Sequence, residues 1–211
     1  MESNTVFVLL AGGKSLRMGV DKGLLKYHDT YWILEQLKRI SKSTIKDIYI
    51  GLGHNYKQYF IAIPWLEKAI KDSVNYLDLK VTVVINTQPE LGSFSTLQTV
   101  LKQVHLKNEI LLNPIDIPLL NSKELQNIIN TKNEIVLPNF EGKNGHPIKM
   151  NSSFWNKLTT LNLADKDARL DYQLKKNNPI KISTIEVFDR AIVYNLNTES
   201  AWKSYIQQSS N

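Results

Sequence analysis

Two adjacent glycines, an arginine and a lysine stand close together near the start of the chain: Gly12, Gly13, Arg17 and Lys22, with Gly19 between the two cations. The apolar run Thr5-Val6-Phe7-Val8-Leu9 leads directly into them. Glycine reaches positive φ and carries no Cβ to clash with a ligand. A loop built on Gly12 and Gly13 can therefore bring bare backbone N–H groups against an anion. Arg17 can grip a phosphate bidentately, and Lys22 supplies a mobile point charge. Together these residues have the chemistry of a polyphosphate site, and a nucleoside triphosphate is the ligand they suit.

The loop is not a P-loop. Gly13-Lys14-Ser15 resembles the end of that motif, but Val8 stands where its first glycine would have to be. The dinucleotide fingerprint Gly-x-Gly-x-x-Gly is also absent. A second constellation lies further on, at Leu111-Leu112-Asn113-Pro114-Ile115-Asp116-Ile117-Pro118, where an apolar strand ends in a turn with one carboxylate between stiffening prolines. Triphosphate chemistry calls for Mg²⁺, which takes one or two protein oxygens and keeps several waters. Asp116 suits that task. The four histidines, His28, His54, His105 and His146, show no zinc-ligand spacing.

Strands and helices must position these groups. Short, apolar, β-branched runs predict strands at 5–11, 47–52, 80–86, 109–113, 134–138, 146–150, 180–187 and 191–194. Helical spacing recurs through Ile33, Leu34, Leu37 and Ile40, and through Leu97, Val100, Leu101 and Val104. Further helices are expected at 122–129, opened by a Ser122 cap, at 151–158, and at the C-terminal end through Trp202 and Ile206. Residues 55–79, with several aromatics and Pro64, read as helix and loop, a packing insertion. Strand–helix alternation argues for an α/β fold with a mainly parallel sheet. In such sheets ligands bind beyond the carboxyl ends of strands, where the strand order reverses. The Gly-Gly loop and the Asp116 turn both follow strands, so both are expected on one edge.

With 211 residues, no repeats and no long linker, a single domain over 1–211 is expected. Hydrophobic content of 42% and charged content of 22% are those of a soluble globular chain. No stretch approaches a membrane span, and residues Met1-Glu2-Ser3-Asn4 do not open a signal peptide. The absence of cysteine excludes a disulfide framework and fits a cytoplasmic location. A net charge of +6 and a pI near 9.3 raise nucleic-acid binding as a class. Scattered lysines without an arginine-rich stripe argue against it and suit anionic small molecules instead.

The string from Leu10 through Lys22 resembles the signature Leu-Ala-Gly-Gly-x-Ser-x-Arg-Met-Gly-x-Asp-Lys of the molybdenum-cofactor guanylyltransferases, within the wider MobA-like nucleotidyltransferase family. Every fixed position is matched. Sugar-phosphate and isoprenoid nucleotidyltransferases usually carry Leu-Ala-Ala-Gly instead. Asp116-Ile117-Pro118 resembles the family's Asp-x-Pro element, and Tyr194-Asn195-Leu196-Asn197-Thr198-Glu199 its late Asn-x-Asn-Thr-Pro-Glu segment, with Glu199 in place of proline. Gly145-His146-Pro147 matches a turn found in the family, where His146 is a candidate acceptor contact. Residues Asn86 to Leu97 carry a Gly92-Ser93-Phe94-Ser95-Thr96-Leu97 turn closer to the cytidylyl branch than to the guanylyl branch.

The resemblance implies a three-layer α/β/α Rossmann-like fold, similar to the nucleotide-diphospho-sugar transferases, with a mixed, mainly parallel sheet. It implies transfer of a nucleoside monophosphate from an NTP, GTP ahead of CTP, to a phosphorylated acceptor such as molybdopterin, releasing pyrophosphate; a non-catalytic nucleotide-binding module on the same fold is the alternative, against which the full set of Arg17, Lys22 and Asp116 argues. Arg17, Lys22 and Asp116 are the implied catalytic residues. Leu10, Ala11, Gly12, Gly13, Lys22 and Asn86 are the implied nucleotide contacts, and Asp116 with Asn197 the implied Mg²⁺ ligands. The partners expected are small molecules, without nucleic acid or membrane, for a monomer or weak homo-oligomer.

Overall fold

A computed structural model describes residues 4–15 and 18–209. The elements run β1 (Thr5–Ala11), β2 (Lys26–Tyr27), β3 (Thr30–Tyr31), α1 (Trp32–Ile40), β4 (Asp47–Leu52), α2 (Tyr56–Ala62), α3 (Trp65–Lys68), β5 (Val74–Tyr76) and β6 (Leu79–Ile85). They continue with α4 (Ser93–Leu101), β7 (Glu109–Pro114), α5 (Ser122–Asn130), β8 (Ile135–Phe140), β9 (Lys143–Asn144), β10 (Ile148–Met150), α6 (Ser152–Leu158), α7 (Leu170–Lys176), β11 (Ile182–Glu186) and α8 (Glu199–Ser209).

The main sheet has the order β11-β8-β10-β7-β1-β4-β6-β5. Pairings of β1 with β4, β1 with β7, β4 with β6 and β8 with β11 are parallel. β10 runs antiparallel between β7 and β8, and β5 antiparallel on the β6 edge. From β1 the chain builds outward through β4 and β6, then returns to the other side of β1 as β7. The order therefore reverses between β1 and β7. There Leu10 is in register with Pro114, and Ile115 N–H donates to the Leu10 carbonyl at 2.9 Å. The loops leaving β1 and β7 thus start side by side, as the rule for open α/β sheets requires.

Alternation along β1 builds a core on each face of the sheet. Phe7 and Leu9 join a cluster with Trp32, Ile33 and Leu37 of α1, Leu125 and Ile128 of α5, and Trp202 and Tyr205 of α8. Val6 and Val8 join a second cluster with Leu97 and Val100 of α4 and Phe154, Trp155 and Leu158 of α6. Burial on both faces is why β1 reads as an unbroken apolar run, and the result is a three-layer sandwich.

Three expectations are corrected. Residues 191–194 are not a strand: Ala191 to Val193 fall within a 3₁₀ turn, Arg190–Val193, and Tyr194 follows it, the Asp189 carboxylate accepting from Ala191 N–H at 2.9 Å at the start of the turn. Within 55–79 lies a strand as well as helices: β5 adds an edge to β6, and Tyr76 stacks on Trp65 with ring centroids 4.9 Å apart. The α5 cap is Asn121 rather than Ser122, its side chain accepting from Glu124 N–H at 3.1 Å. The short helix α7, which is not among the expected helices, covers one side of the site.

Candidate active site

A cavity of about 560 Å³ opens at the carboxyl ends of β1 and β7. Leu10, Ala11, Gly12, Gly13, Ser15 and Lys22 line one wall, and Pro114, Ile115 and Asp116 the next. Phe94, Thr96 and Leu97 of α4, His146 and Ile148, and Arg169, Leu170, Asp171 and Leu174 at α7 close the rest.

The Gly-Gly loop is set by contact with its neighbours. A Cβ on Gly12 would stand 2.7 Å from Thr96 Oγ1 and 3.2 Å from the Gly53 nitrogen, so only glycine allows this crossing. The Gly12 carbonyl accepts from His54 N–H at 3.2 Å, which ties the loop to the end of β4. A Cβ on Gly13 would meet nothing within 4 Å, so that position faces space the protein leaves clear. Further along, Ser15 closes the loop: its carbonyl accepts from Met18 N–H at 2.9 Å and its Oγ from Lys22 N–H at 3.2 Å. Arg17, expected to grip phosphate, lies outside the described residues.

The Asp116 turn is held by its own amides. Asn113, fully buried, donates through Nδ2 to the carbonyls of Pro114 at 3.0 Å and Ile117 at 2.8 Å. The indole N–H of Trp32 donates to the Ile115 carbonyl at 2.7 Å. Thus braced, Asp116 meets Lys22 in an ion pair of 3.0 Å, with side chains 22% and 18% exposed. Lys22 Nζ also donates to Asn197 Oδ1. Asn197 is brought in from far along the chain because Leu196 N–H donates to the Asp116 carbonyl at 2.8 Å. Thr198 caps α8, its Oγ1 accepting from Ala201 N–H at 3.2 Å.

Asn86, by contrast, does not line the cavity. It is buried, and its amide is consumed by Ser95 Oγ at 2.7 Å, Thr96 Oγ1 at 3.0 Å and Gln88 N–H at 2.9 Å. It bears on the site through Thr96, which it holds against Gly12.

His146 faces the cavity close to Asp116. Burial pushes its imidazole down to about 4, outweighing the upward pull of the Asp116 carboxylate, so it is neutral at physiological pH. Neutral, it offers one donor and one acceptor.

Sequence reasoning singled out the Gly92–Leu97 segment that brings Thr96 to the cavity, but missed Tyr59 and the α7 group. Tyr59 is buried in the 55–79 stretch, where burial pushes its phenol well above the usual range. Leu170 and Leu174, four apart on one helix face, were the signal available for α7.

The donor set suits a hard divalent cation. A carboxylate and an amide oxygen converge on one point, and an ammonium already stands between them as a cationic stand-in. Among the described residues no group of three or more His, Cys, Asp or Glu surrounds such a point. Water and phosphate would complete the shell, as magnesium and manganese prefer.

A family model describing a MobA-like NTP transferase domain matches residues 7–177. A molybdenum cofactor guanylyltransferase of Xanthomonas euvesicatoria pv. vesicatoria (strain 85-10) is 22% identical over 201 residues, covering 95% of this chain and 94% of that protein. A nucleotidyl transferase from Methanothermobacter thermautotroptrophicus superposes with a TM-score of 0.76 at 15% identity, covering 98% of this chain and 99% of that one. A manganese complex of Rv0371C from Mycobacterium tuberculosis H37Rv does so with a TM-score of 0.68 at 20% identity, covering 98% and 100%. No helix among the described residues is long and apolar enough to cross a membrane. On the family match, and with the fold in agreement, the chain belongs to the MobA-like NTP transferase family.

Proposed function

We propose that the protein transfers a nucleoside monophosphate from GTP to a phosphorylated acceptor of the molybdopterin type, with release of pyrophosphate. One observation carries this reading. Lys22, from the loop after β1, and Asp116, from the turn after β7, meet 3.0 Å apart in one cavity walled by Gly12 and Gly13.

An anionic oxygen of the acceptor phosphate attacks the α-phosphorus. The new P–O bond forms as the bond to the bridging oxygen breaks, and pyrophosphate leaves with that electron pair. Because the attacking oxygen is already anionic, no strong general base is needed, and the work is alignment and charge stabilisation. The backbone at Leu10 and Ala11 flanks the base, Gly12 and Gly13 receive phosphate oxygens, and Lys22 and Arg17 neutralise them. Asp116 and Asn197 would hold Mg²⁺, which when bound supplies positive charge to the phosphate oxygens. His146, neutral and beside Asp116, is placed to orient the acceptor.

The face of α4 supports a second reading for the base. Ser93, Phe94, Thr96 and Leu97 line the cavity in the turn that resembles the cytidylyl branch, so CTP is the alternative donor. A thermal-shift panel of GTP, CTP, ATP and UTP with Mg²⁺ separates the two, since the preferred ligand raises the melting temperature according to its affinity. Pyrophosphate release with molybdopterin then tests transfer. Stabilisation by none of the four nucleotides overturns the proposal.

A further inference from the structure

The Lys22 ammonium stands in the place a divalent cation would need. Its Nζ donates to Asp116 Oδ2 at 3.0 Å and to Asn197 Oδ1. The segments that carry these two oxygens are joined without the lysine. The Leu196–Asp116 backbone bond brings their segments together, and Asn197 Nδ2 donates to Asn195 Oδ1, which turns its amide oxygen the other way. The lysine is also anchored at its own backbone, through the bond from its N–H to Ser15 Oγ, so its side chain reaches across the crevice from a fixed root. The same side chain lines the cavity beside Gly12 and Gly13. One ammonium thus lies within reach of two sets of partners, protein oxygens on one side and the polyphosphate cradle on the other.

We infer that Lys22 is an exchangeable occupant of the metal position: it neutralises Asp116 in the ligand-free protein, and a metal–triphosphate displaces it onto the phosphates. This rests on the nucleotide reading given above. A free divalent cation entering alone must break an ion pair four-fifths shielded from water and then sit beside an ammonium with nowhere else to go. A cation that arrives with a triphosphate brings the anionic oxygens that accept the ammonium as it leaves. Metal and nucleotide therefore bind with positive coupling, each raising the affinity for the other by the same factor. Lys22 sets that coupling in addition to contacting phosphate, and it keeps the acidic turn neutral when no substrate is bound.

The test uses Mn²⁺ alone as the probe, with free Mn²⁺ followed by electron paramagnetic resonance in the absence of nucleotide. Lys22→Met removes the ammonium and keeps the apolar stem. It should bind Mn²⁺ at least ~10-fold more tightly than the wild type, the scale of releasing one shielded carboxylate from its partner. Lys22→Gln repeats the comparison should the methionine variant melt early. Equal or weaker Mn²⁺ binding by the folded variant overturns the exchange. Wild-type protein that fails to bind Mn·GTP or Mn·CTP overturns the nucleotide reading instead, so the two failures are distinguishable.

Discussion

The backbone N–H of Leu196 donates to the carbonyl oxygen of Asp116 at 2.8 Å, joining the segment before the last helix to the turn after β7. The bond uses main-chain atoms on both sides, so it leaves the Asp116 carboxylate and the Asn197 amide free to point into the crevice. It explains how a residue just ahead of α8 reaches a cavity whose lining residues run from Leu10 to Leu174. Structure and charge are thereby separated at Asp116: its carbonyl holds the fold and its carboxylate meets Lys22 in the cavity.

That separation makes Asp116→Ala a clean probe. The Leu196 bond survives the substitution, so the fold should persist, with a lowered melting temperature because the Lys22 ammonium loses its shielded partner. Turnover, read as pyrophosphate release at saturating Mg²⁺, should fall at least ~10²-fold, the loss expected for one main electrostatic stabiliser. Near wild-type turnover by the folded variant would remove Asp116 from the chemistry.

Gly12→Ala tests the cradle through packing. The added Cβ would stand 2.7 Å from Thr96 Oγ1, a hydroxyl that Asn86 fixes in place, with the Gly53 backbone behind it. Overpacking of this kind typically costs ~1–3 kcal/mol. Both the melting temperature and triphosphate affinity should drop. Pairing it with Thr96→Ser removes the neighbouring methyl but keeps the hydroxyl that Asn86 holds, so only partial recovery is expected. Full tolerance of Gly12→Ala alone would show that the loop moves freely.

Much of this was legible in the sequence because it is local. Strand β1, the Gly-Gly loop and the Asp116 turn follow from an apolar run, two glycines and a proline-flanked carboxylate, each decided within a few residues. That both loops open on one edge follows from strand–helix alternation, whereas the reversal between β1 and β7 is seen only in the strand order. What stayed hidden depends on partners far along the chain. Asn86 carries the polar side chain of a ligand contact, yet its amide is spent on Ser95, Thr96 and Gln88. Residues 191–194 read Ala-Ile-Val-Tyr, with two β-branched residues at the centre, but the Asp189 carboxylate caps a turn that takes in Ala191 to Val193. Tyr59 sits in a stretch with no clear periodicity, and only the tertiary fold brings it to the cavity wall.

Glu134 gives the stability of the fold a pH dependence. Burial would raise its carboxyl, but bonds from Ser153 at 2.5 Å and Asn177 at 2.9 Å, with Lys181 at 3.4 Å, outweigh that and hold it below its ordinary 4.5. A carboxylate with a lowered folded value stabilises the protein above its unfolded value, and the gain is lost as pH falls through the folded one. Glu134→Gln should therefore melt below the wild type at pH 7, and the gap should narrow as pH drops below about 4.5. A gap that is constant down to pH 3, well inside the titration range of such a carboxylate, would assign the loss to packing alone.

The last helix reaches the site through an aromatic anchor. Trp202 is buried and meets Trp32 edge-on with ring centroids 5.2 Å apart, while Tyr205 accepts from Arg39 Nη1 at 2.7 Å. Removing so large a buried ring typically costs ~3–5 kcal/mol, so Trp202→Ala should melt far earlier than the wild type. Its second effect is specific. Asn197 lies just ahead of α8, and Trp202 N–H donates to the Thr198 carbonyl at 3.0 Å, so loosening the anchor loosens the amide oxygen that the proposed function assigns to the metal. Assayed well below its melting temperature, the variant should need a higher Mg²⁺ concentration for half-maximal activity, while its KM for the nucleotide at saturating Mg²⁺ stays close to wild type. Tyr205→Phe, which breaks only the Arg39 bond, should show the same shift in smaller measure. An unchanged Mg²⁺ requirement in both would mean that α8 supports the fold without presenting Asn197 to the metal.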